Sequence, residues 1–289
     1  ADVVAERAHR AAAQYGCLAF QDHRDLLGRV DAVSIAVPTV SHYETAVTFL
    51  EAGVSALVEK PITVTLAEAD ALIAAAGRNN AVLQVGFIER FNPAVIALAK
   101  VIQQPLFIEA HRLHPFFERG TDVDVILDLM IHDLDVILHF VKSPVAAIDA
   151  VGVSVLSEMV DIANVRLKFA SGCVANITAS RVTGKTLQKI RFFGIDGYHA
   201  VDYNKRDLVS LSKKISDSGR LDIFSNAVEV CQHDPLEAEI RSFVAAVQNG
   251  ARPVVSGEDG RNALDLALNI AREIKKAKDE ILLSIQHGK

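Results

Sequence analysis

Cysteine is scarce and unpatterned in this 289-residue chain: Cys17, Cys173 and Cys231 are odd in number and far apart. That excludes a disulfide framework and a zinc knuckle, and leaves three small apolar side chains in a reducing compartment. Excess positive charge is also missing. The formal net charge of −6 removes the electrostatic basis for binding nucleic acid or an anionic membrane. No apolar run is long enough to span a bilayer, because the most apolar stretch, 123–141, carries Asp124, Asp128, Asp133 and Asp135. Repeats, low-complexity linkers and a signal-peptide pattern are absent, and the first residue is Ala1 rather than methionine. These absences make a cytoplasmic protein the expectation. Serine-nucleophile and phosphate-loop patterns are absent too, including any Gly-x-Gly-x-x-Gly.

What is present is length for two domains, with 50% hydrophobic and 23% charged residues. The first ~90 residues alternate helix and strand patterns, as in a parallel sheet. Residues 3–15 predict a helix, and Asp31 to Val37 a buried strand stopped by Pro38. Ser41 with Glu44, and Thr65 with Glu68, have the spacing of capping boxes. Val54 to Val58 and Ala81 to Val85 read as further strands, and a strand is also expected near Cys17–Phe20. After Phe91-Asn92-Pro93 the pattern changes to a helix, a strand at 106–113, the helix around 123–141, and long β-rich runs. Ala170-Ser171-Gly172-Cys173 and Ile195-Asp196-Gly197-Tyr198 look like hairpin turns, so this half predicts a mainly antiparallel sheet. Residues 206–232 read as loop-rich, and two helices, about 235–249 and 258–284, close the chain. The fold class is therefore α/β plus α+β. A doubly wound, Rossmann-type domain over 1–88 precedes a substrate and oligomerisation domain over 89–289.

Two constellations have chemical potential. Glu59-Lys60-Pro61 closes the strand at Val54–Val58, and proline holds Lys60 extended at a strand's carboxyl end, where open α/β sheets place ligands. A lysine there is otherwise just solvated. Asp128, His132 and Asp135 fall at i, i+4 and i+7, on one face of an apolar helix. An Asp one turn from a His can fix its tautomer and raise its basicity; the same stripe also suits a wet domain boundary. Pro38-Thr39-x-x-His42 lies at the end of the preceding strand. His111 and His114 do not make a metal pair, because i and i+3 on a strand face opposite ways.

Together these residues resemble the Gfo/Idh/MocA family of NAD(P)-dependent oxidoreductases, over nearly the whole chain. The resemblance rests on Pro38-Thr39-x-x-His42, Glu59-Lys60-Pro61, Gly86-Phe87-x-x-Arg90-Phe91-x-Pro93 and Asp128-x-x-x-His132-Asp133. The tail pattern from Pro235-x-x-x-Glu239 through Asn249-Gly250 to Asp259-Gly260 adds to it. Within the family, Ile88 to Ala94 and Leu127 to Asp135 look like enzymes that oxidise the 3-hydroxyl of UDP-N-acetylglucosamine-type sugars. Arg119 to Val125 looks like a subgroup associated with lipid A biosynthesis.

The resemblance implies catalytic roles for Lys60, which polarises the reacting oxygen, His132, which accepts the hydroxyl proton, and Asp128, which orients the site. It places Asp2, Pro38, Thr39, His42, Glu59, Lys60 and Pro61 around the cofactor, and Arg90, Asn92, Arg119 and His132 around the substrate. The implied cofactor is NAD, favoured over NADP because the Asp2 carboxylate would repel a 2′-phosphate. A sugar or nucleotide sugar is the implied substrate, with no metal, and a homodimer or homotetramer forms through the antiparallel sheet. Two alternatives are an inositol, free-sugar or sugar-acid dehydrogenase of the same family, and a non-catalytic nucleotide sensor on the same fold. In one respect the chain departs from the family: its opening corresponds to the end of the family's second strand, one β-α-β beginning or about 30 residues in. The corresponding expectation is that the intact gene product binds a nicotinamide cofactor, while this chain binds it poorly or not at all.

Overall fold

The computed structural model describes residues 1–116, 123–195, 197–215 and 221–287, of which 214–215, 221–222 and 280–287 are described by their backbone. Its elements are α1 (Ala5–Tyr15), β1 (Ala32–Ile35), α2 (His42–Glu51), β2 (Ser55–Glu59), α3 (Leu66–Arg78), β3 (Leu83–Gly86), α4 (Pro93–Leu98), β4 (Pro105–Leu113), α5 (Ile131–Phe140), β5 (Val145–Val153), β6 (Ile162–Phe169), β7 (Val174–Ser180), β8 (Leu187–Gly194), β9 (Tyr198–Asp202), β10 (Asp207–Ile215), β11 (Leu221–Ser225), α6 (Pro235–Asn249) and α7 (Gly257–His287). The chain divides into two compact units, residues 1–86 with 240–261, and 87–239 with 262–289.

The first unit is built on a parallel sheet in the order β1-β2-β3, with Ile35 opposite Val58 and Glu59 opposite Gly86. β2 is paired on both sides, which is why Ser55 to Val58 can be an uninterrupted buried run. Phe49 and Leu50 of α2 and Leu72 of α3 complete this core with Val58, Ile62 and Val85. Thr65 caps α3 with a full capping box: its hydroxyl accepts the Glu68 N–H while Glu68 accepts the Thr65 N–H. Ser41 makes no such cap for α2, because a 3₁₀ turn over Thr39–Ser41 leads into the helix and its backbone is already helical there. Cys17–Phe20 is not a strand; among the described residues nothing pairs with the free edge of β1, so there is no ladder to join.

Residues 240–261 pack with the first unit, where the expected domains put them in the second. Val85 donates to the Val255 carbonyl at 3.1 Å, and Ser256 caps the start of α7, its hydroxyl accepting the Asp259 N–H and its own N–H donating to the Asp259 carboxylate. Gly257 and Gly260 permit this contact: a Cβ on them would stand 2.8 Å from Leu83 and 2.6 Å from Val85 side-chain carbons.

The second unit is an eight-stranded sheet in the order β11-β10-β9-β8-β4-β7-β6-β5. All its neighbours are antiparallel except β4 and β7, so β4 enters the middle of what is otherwise a run of consecutive hairpins. Gly172, at φ +88°, turns β6 into β7 as expected; the second expected turn includes Asp196, outside the described residues. One sheet face is apolar, with Ile108, Ala110, Val165, Leu167, Ala175, Ile177, Ile190 and Phe192 buried. The opposite positions carry Glu109, Asn164, Arg166, Asn176 and Lys189. β10 and β11 lie in the stretch read as loop.

Candidate active site

In the first unit the carboxyl ends of β1 and β2 are brought together by His42. This side chain is 1% exposed, with Nδ1 2.8 Å from the Pro61 carbonyl oxygen and Nε2 2.9 Å from that of Val37. Each ring nitrogen faces a backbone carbonyl, which can only accept, so the ring donates through whichever nitrogen carries hydrogen and sits wedged between the two strand ends. Lys60 lies between two fixed points. Its N–H donates to Glu59 Oε2 at 3.2 Å, and the peptide that follows, which is cis, leads to the carbonyl held by His42. Asp2, expected at a ribose, accepts the Val4 N–H at 2.8 Å just before α1.

The second unit presents His132 on α5, half-buried, its ring edge-on to the buried Phe87 ring with centroids 6.2 Å apart and planes at 85°. Asp128 precedes it in a π-helical turn, Ile126–Met130, in which the Ile131 N–H reaches the Ile126 carbonyl. Such turns recur at functional sites. Here the turn changes the angle at which Asp128 and His132 leave the backbone from that of a regular i, i+4 pair. Asp124 begins the helix by accepting the Ile126 and Leu127 N–H groups; burial pushes its carboxyl up, and those two bonds oppose the shift.

The expected stripe does not extend to Asp135. That residue is 2% exposed and accepts from Arg90 Nη1 at 3.2 Å. Its neighbour Asp133 is fully buried and held by Arg112, from Nε at 2.8 Å and Nη2 at 3.2 Å. Arg112 sits on the covered face of β4, which forces a buried guanidinium to find carboxylates. It also donates to Glu89 at 3.1 Å and lies over the Tyr203 ring, 4.7 Å from its centre. Burial alone would lower the Arg112 guanidinium; the Asp133 and Glu89 carboxylates reverse that and raise it. Burial, reinforced by Asp133, pushes the Tyr203 phenol well above its ordinary range.

The same network absorbs residues expected at the substrate. Asn92 is 3% exposed, caps α4 through Ala94, and donates to Glu89 and to the Tyr203 carbonyl. Arg90 is 8% exposed and committed to Asp135. Both are buried and hydrogen-bonded inside the second unit, to Asp135 and to the Tyr203 carbonyl. Arg119 lies outside the described residues.

A second anchor, Arg181 with Asp161, escaped the sequence reading. Arg181 Nε donates to Asp161 at 2.8 Å and Nη1 to the Val123 carbonyl at 2.8 Å, fixing the approach to the helix that carries Asp128. Burial would raise the Asp161 carboxyl, but bonds from Ser157, Arg181 and the Leu156 and Ser157 N–H groups outweigh it and hold it far below the ordinary range. The only sequence signal was an Arg at the end of an apolar strand run.

Residues 1–87 match the oxidoreductase family model described as an NAD-binding Rossmann fold, and residues 103–199 match the GFO/IDH/MocA C-terminal domain. The UDP-N-acetylglucosamine 3-dehydrogenase of Acidithiobacillus ferrooxidans is 39% identical over 93% of this chain and 87% of its own. The chain belongs to the Gfo/Idh/MocA family of oxidoreductases. A solved structure of that A. ferrooxidans enzyme superposes with a TM-score of 0.88, covering 94% of this chain and 88% of its own at 37% identity. A myo-inositol 2-dehydrogenase from Thermotoga maritima is 28% identical over 90% of this chain and 83% of its own.

Membership makes NAD the cofactor of this fold, and the first unit fits its nicotinamide end. The carboxyl ends of β1 and β2 adjoin, with Pro38, Thr39, Glu59 and Lys60 there, at the edge where such sheets bind ligands. No described residue is assigned to the pyrophosphate, since the sequence has no Gly-x-Gly-x-x-Gly.

Proposed function

We propose that the protein oxidises the 3-hydroxyl of a UDP-N-acetylglucosamine-type sugar, with NAD as acceptor. The observation that carries this reading is the 39% identity to a UDP-N-acetylglucosamine 3-dehydrogenase across almost the whole chain, with Lys60, Asp128 and His132 all present.

Oxidation of a secondary alcohol releases a hydride from carbon and a proton from oxygen. NAD, when bound, supplies the two-electron acceptor. His132 takes the hydroxyl proton, as a general base whose ring is fixed by Phe87. Asp128, at the π turn, orients that imidazole. Lys60 places a cation where negative charge develops on the substrate oxygen. The clustered Pro38, Thr39, Glu59 and Pro61 shape the nicotinamide side. The 3-keto sugar formed is suited to amination, a step of the kind used in lipid A assembly, and work in the cytoplasm is part of the same proposal. Self-association through the open sheet face is part of the same proposal; that face exposes Val151, Val153 and Val209 among polar residues.

NAD reduction is to be compared with UDP-N-acetylglucosamine, myo-inositol and glucose. Turnover with the nucleotide sugar at least about 100-fold above the others supports the reading. Preference for inositol replaces the substrate, and tight NAD binding with no turnover on any polyol identifies a sensor.

A further inference from the structure

We propose that His42 is a positioning residue for Lys60, and that His42, Glu59 and Gly86 form a clamp fixing the peptide on both sides of that lysine. The inference rests on the functional assignment of Lys60 above and concerns how the root of its side chain is held.

Sequence creates the need for the clamp. The β1–β2 ladder ends at Ile35 and Val58, and proline at 61 has no N–H with which to extend it. The Pro61 carbonyl beyond the ladder is buried and costly to leave unmet, while that of Val37, a residue 39% exposed, is only part-buried. His42 faces both, donating through whichever ring nitrogen carries hydrogen. The 3₁₀ turn at Thr39–Ser41 brings the chain back so that the first residue of α2 places its ring between the two strand ends. At 1% exposure, with Nδ1 2.8 Å from the Pro61 carbonyl oxygen and Nε2 2.9 Å from that of Val37, the ring is packed between the strand ends and hydrogen-bonded to at least one of them where the backbone ladder has stopped.

The other side of Lys60 is held by Glu59, whose carboxylate folds back onto the Lys60 N–H at 3.2 Å. Residue 86, its partner across the β2–β3 ladder, is glycine, which leaves room for it without displacing Glu59. A Cβ there would stand 3.0 Å from Glu59 Oε2 and 3.2 Å from Glu59 Cα. Lysine has a flexible four-carbon stem, so the reach of its ammonium depends on how firmly its backbone is aimed. A displacement of about 1 Å at a reacting group costs on the order of 100-fold in rate. The motif Pro38-Thr39-x-x-His42 thus serves Lys60, from a position 18 residues earlier in the chain.

The test uses His42→Ala, His42→Gln and, on the other arm, Gly86→Ala, each followed by kcat, KM for NAD, and amide hydrogen exchange resolved by peptide. In His42→Ala, kcat is expected to fall on the order of 100-fold while KM for NAD changes less than about threefold. Exchange should speed up in segments 36–40 and 57–64 and stay unchanged in α3. His42→Gln, whose carboxamide N–H groups can donate to a carbonyl, should recover most of both effects. Gly86→Ala should accelerate exchange in the 57–64 segment with His42 intact, which keeps the test decisive if His42→Ala does not fold. A raised KM for NAD with kcat preserved would make His42 a cofactor contact and overturn the inference, as would unchanged exchange in 57–64. If the wild-type protein oxidises no sugar, the functional reading fails, and the exchange data still decide the clamp.

Discussion

Arg112 Nε donates to Asp133 Oδ2 at 2.8 Å, and Asp133 is the residue next to His132 on α5. The covered face of the sheet is thereby fastened, through one guanidinium, to the helix turn that carries the proposed base. Replacing Arg112 by Met leaves the Asp133 and Glu89 carboxylates without their buried cation. The expected cost is about 3–5 kcal/mol, measurable by denaturant unfolding. Arg112→Met combined with Asp133→Asn should be less destabilised than the sum of the single variants, since the pair is coupled. Additive losses would show that the two residues act independently.

The Asp161 carboxyl gives the protein an acid-sensitive anchor. Its folded value is held below the unfolded one, so it contributes stability that is fully present above an unfolded pKa of about 4 and is lost as pH falls through the folded value. Thermal melts should show a steeper loss of stability below pH ~4 for wild type than for Asp161→Asn. At neutral pH the variant should be the less stable of the two, because Arg181 then lacks its buried partner.

Substituting Thr65 by Ala removes the hydroxyl that accepts from Glu68 and breaks a complete capping box. The expected loss is about 1 kcal/mol of stability. By contrast, Ser41→Ala should be close to neutral, because Ser41 makes no side-chain cap. Equal effects in parallel unfolding curves would contradict the assigned caps.

His132→Ala should lower kcat by about 10²- to 10⁴-fold while leaving NAD affinity near that of wild type. Stopped-flow turnover and a cofactor titration separate the two quantities. Unchanged turnover would remove His132 from the mechanism.

Much of this was legible in the sequence, for definite reasons. A buried parallel strand leaves an unbroken apolar run, so β2 and the lysine at its end could be read directly, as could the Thr65–Glu68 box. Other elements were hidden by polar residues turned inward. Ser210 occupies a core-facing position on β10, 1% exposed, and meets His199 at 3.0 Å and Asn226 at 3.0 Å, so the strand reads as a polar loop. Arg90 and Asn92 looked like ligands for a diphosphate because their partners, Asp135 and Tyr203, come from distant parts of the chain. Helical periodicity likewise put Asp128, His132 and Asp135 on one face; the π turn precedes His132 and Asp135 and so shifts Asp128 alone, while Asp135 is buried against Arg90, a partner 45 residues away. The return of 240–261 to the first unit depends on close approach at Gly257 and Gly260, which no local pattern announces.

The proposed reaction takes hydride from carbon 3 of a nucleotide sugar as the hydroxyl proton is removed. It is tested most directly by incubating the protein with NAD and UDP-N-acetylglucosamine deuterated at carbon 3, then analysing the reduced cofactor by mass spectrometry. The expected result is one deuterium transferred to the nicotinamide, slower turnover than with the unlabelled sugar, and a 3-keto product. Reduced cofactor without deuterium, or no reduction with this sugar, would contradict it.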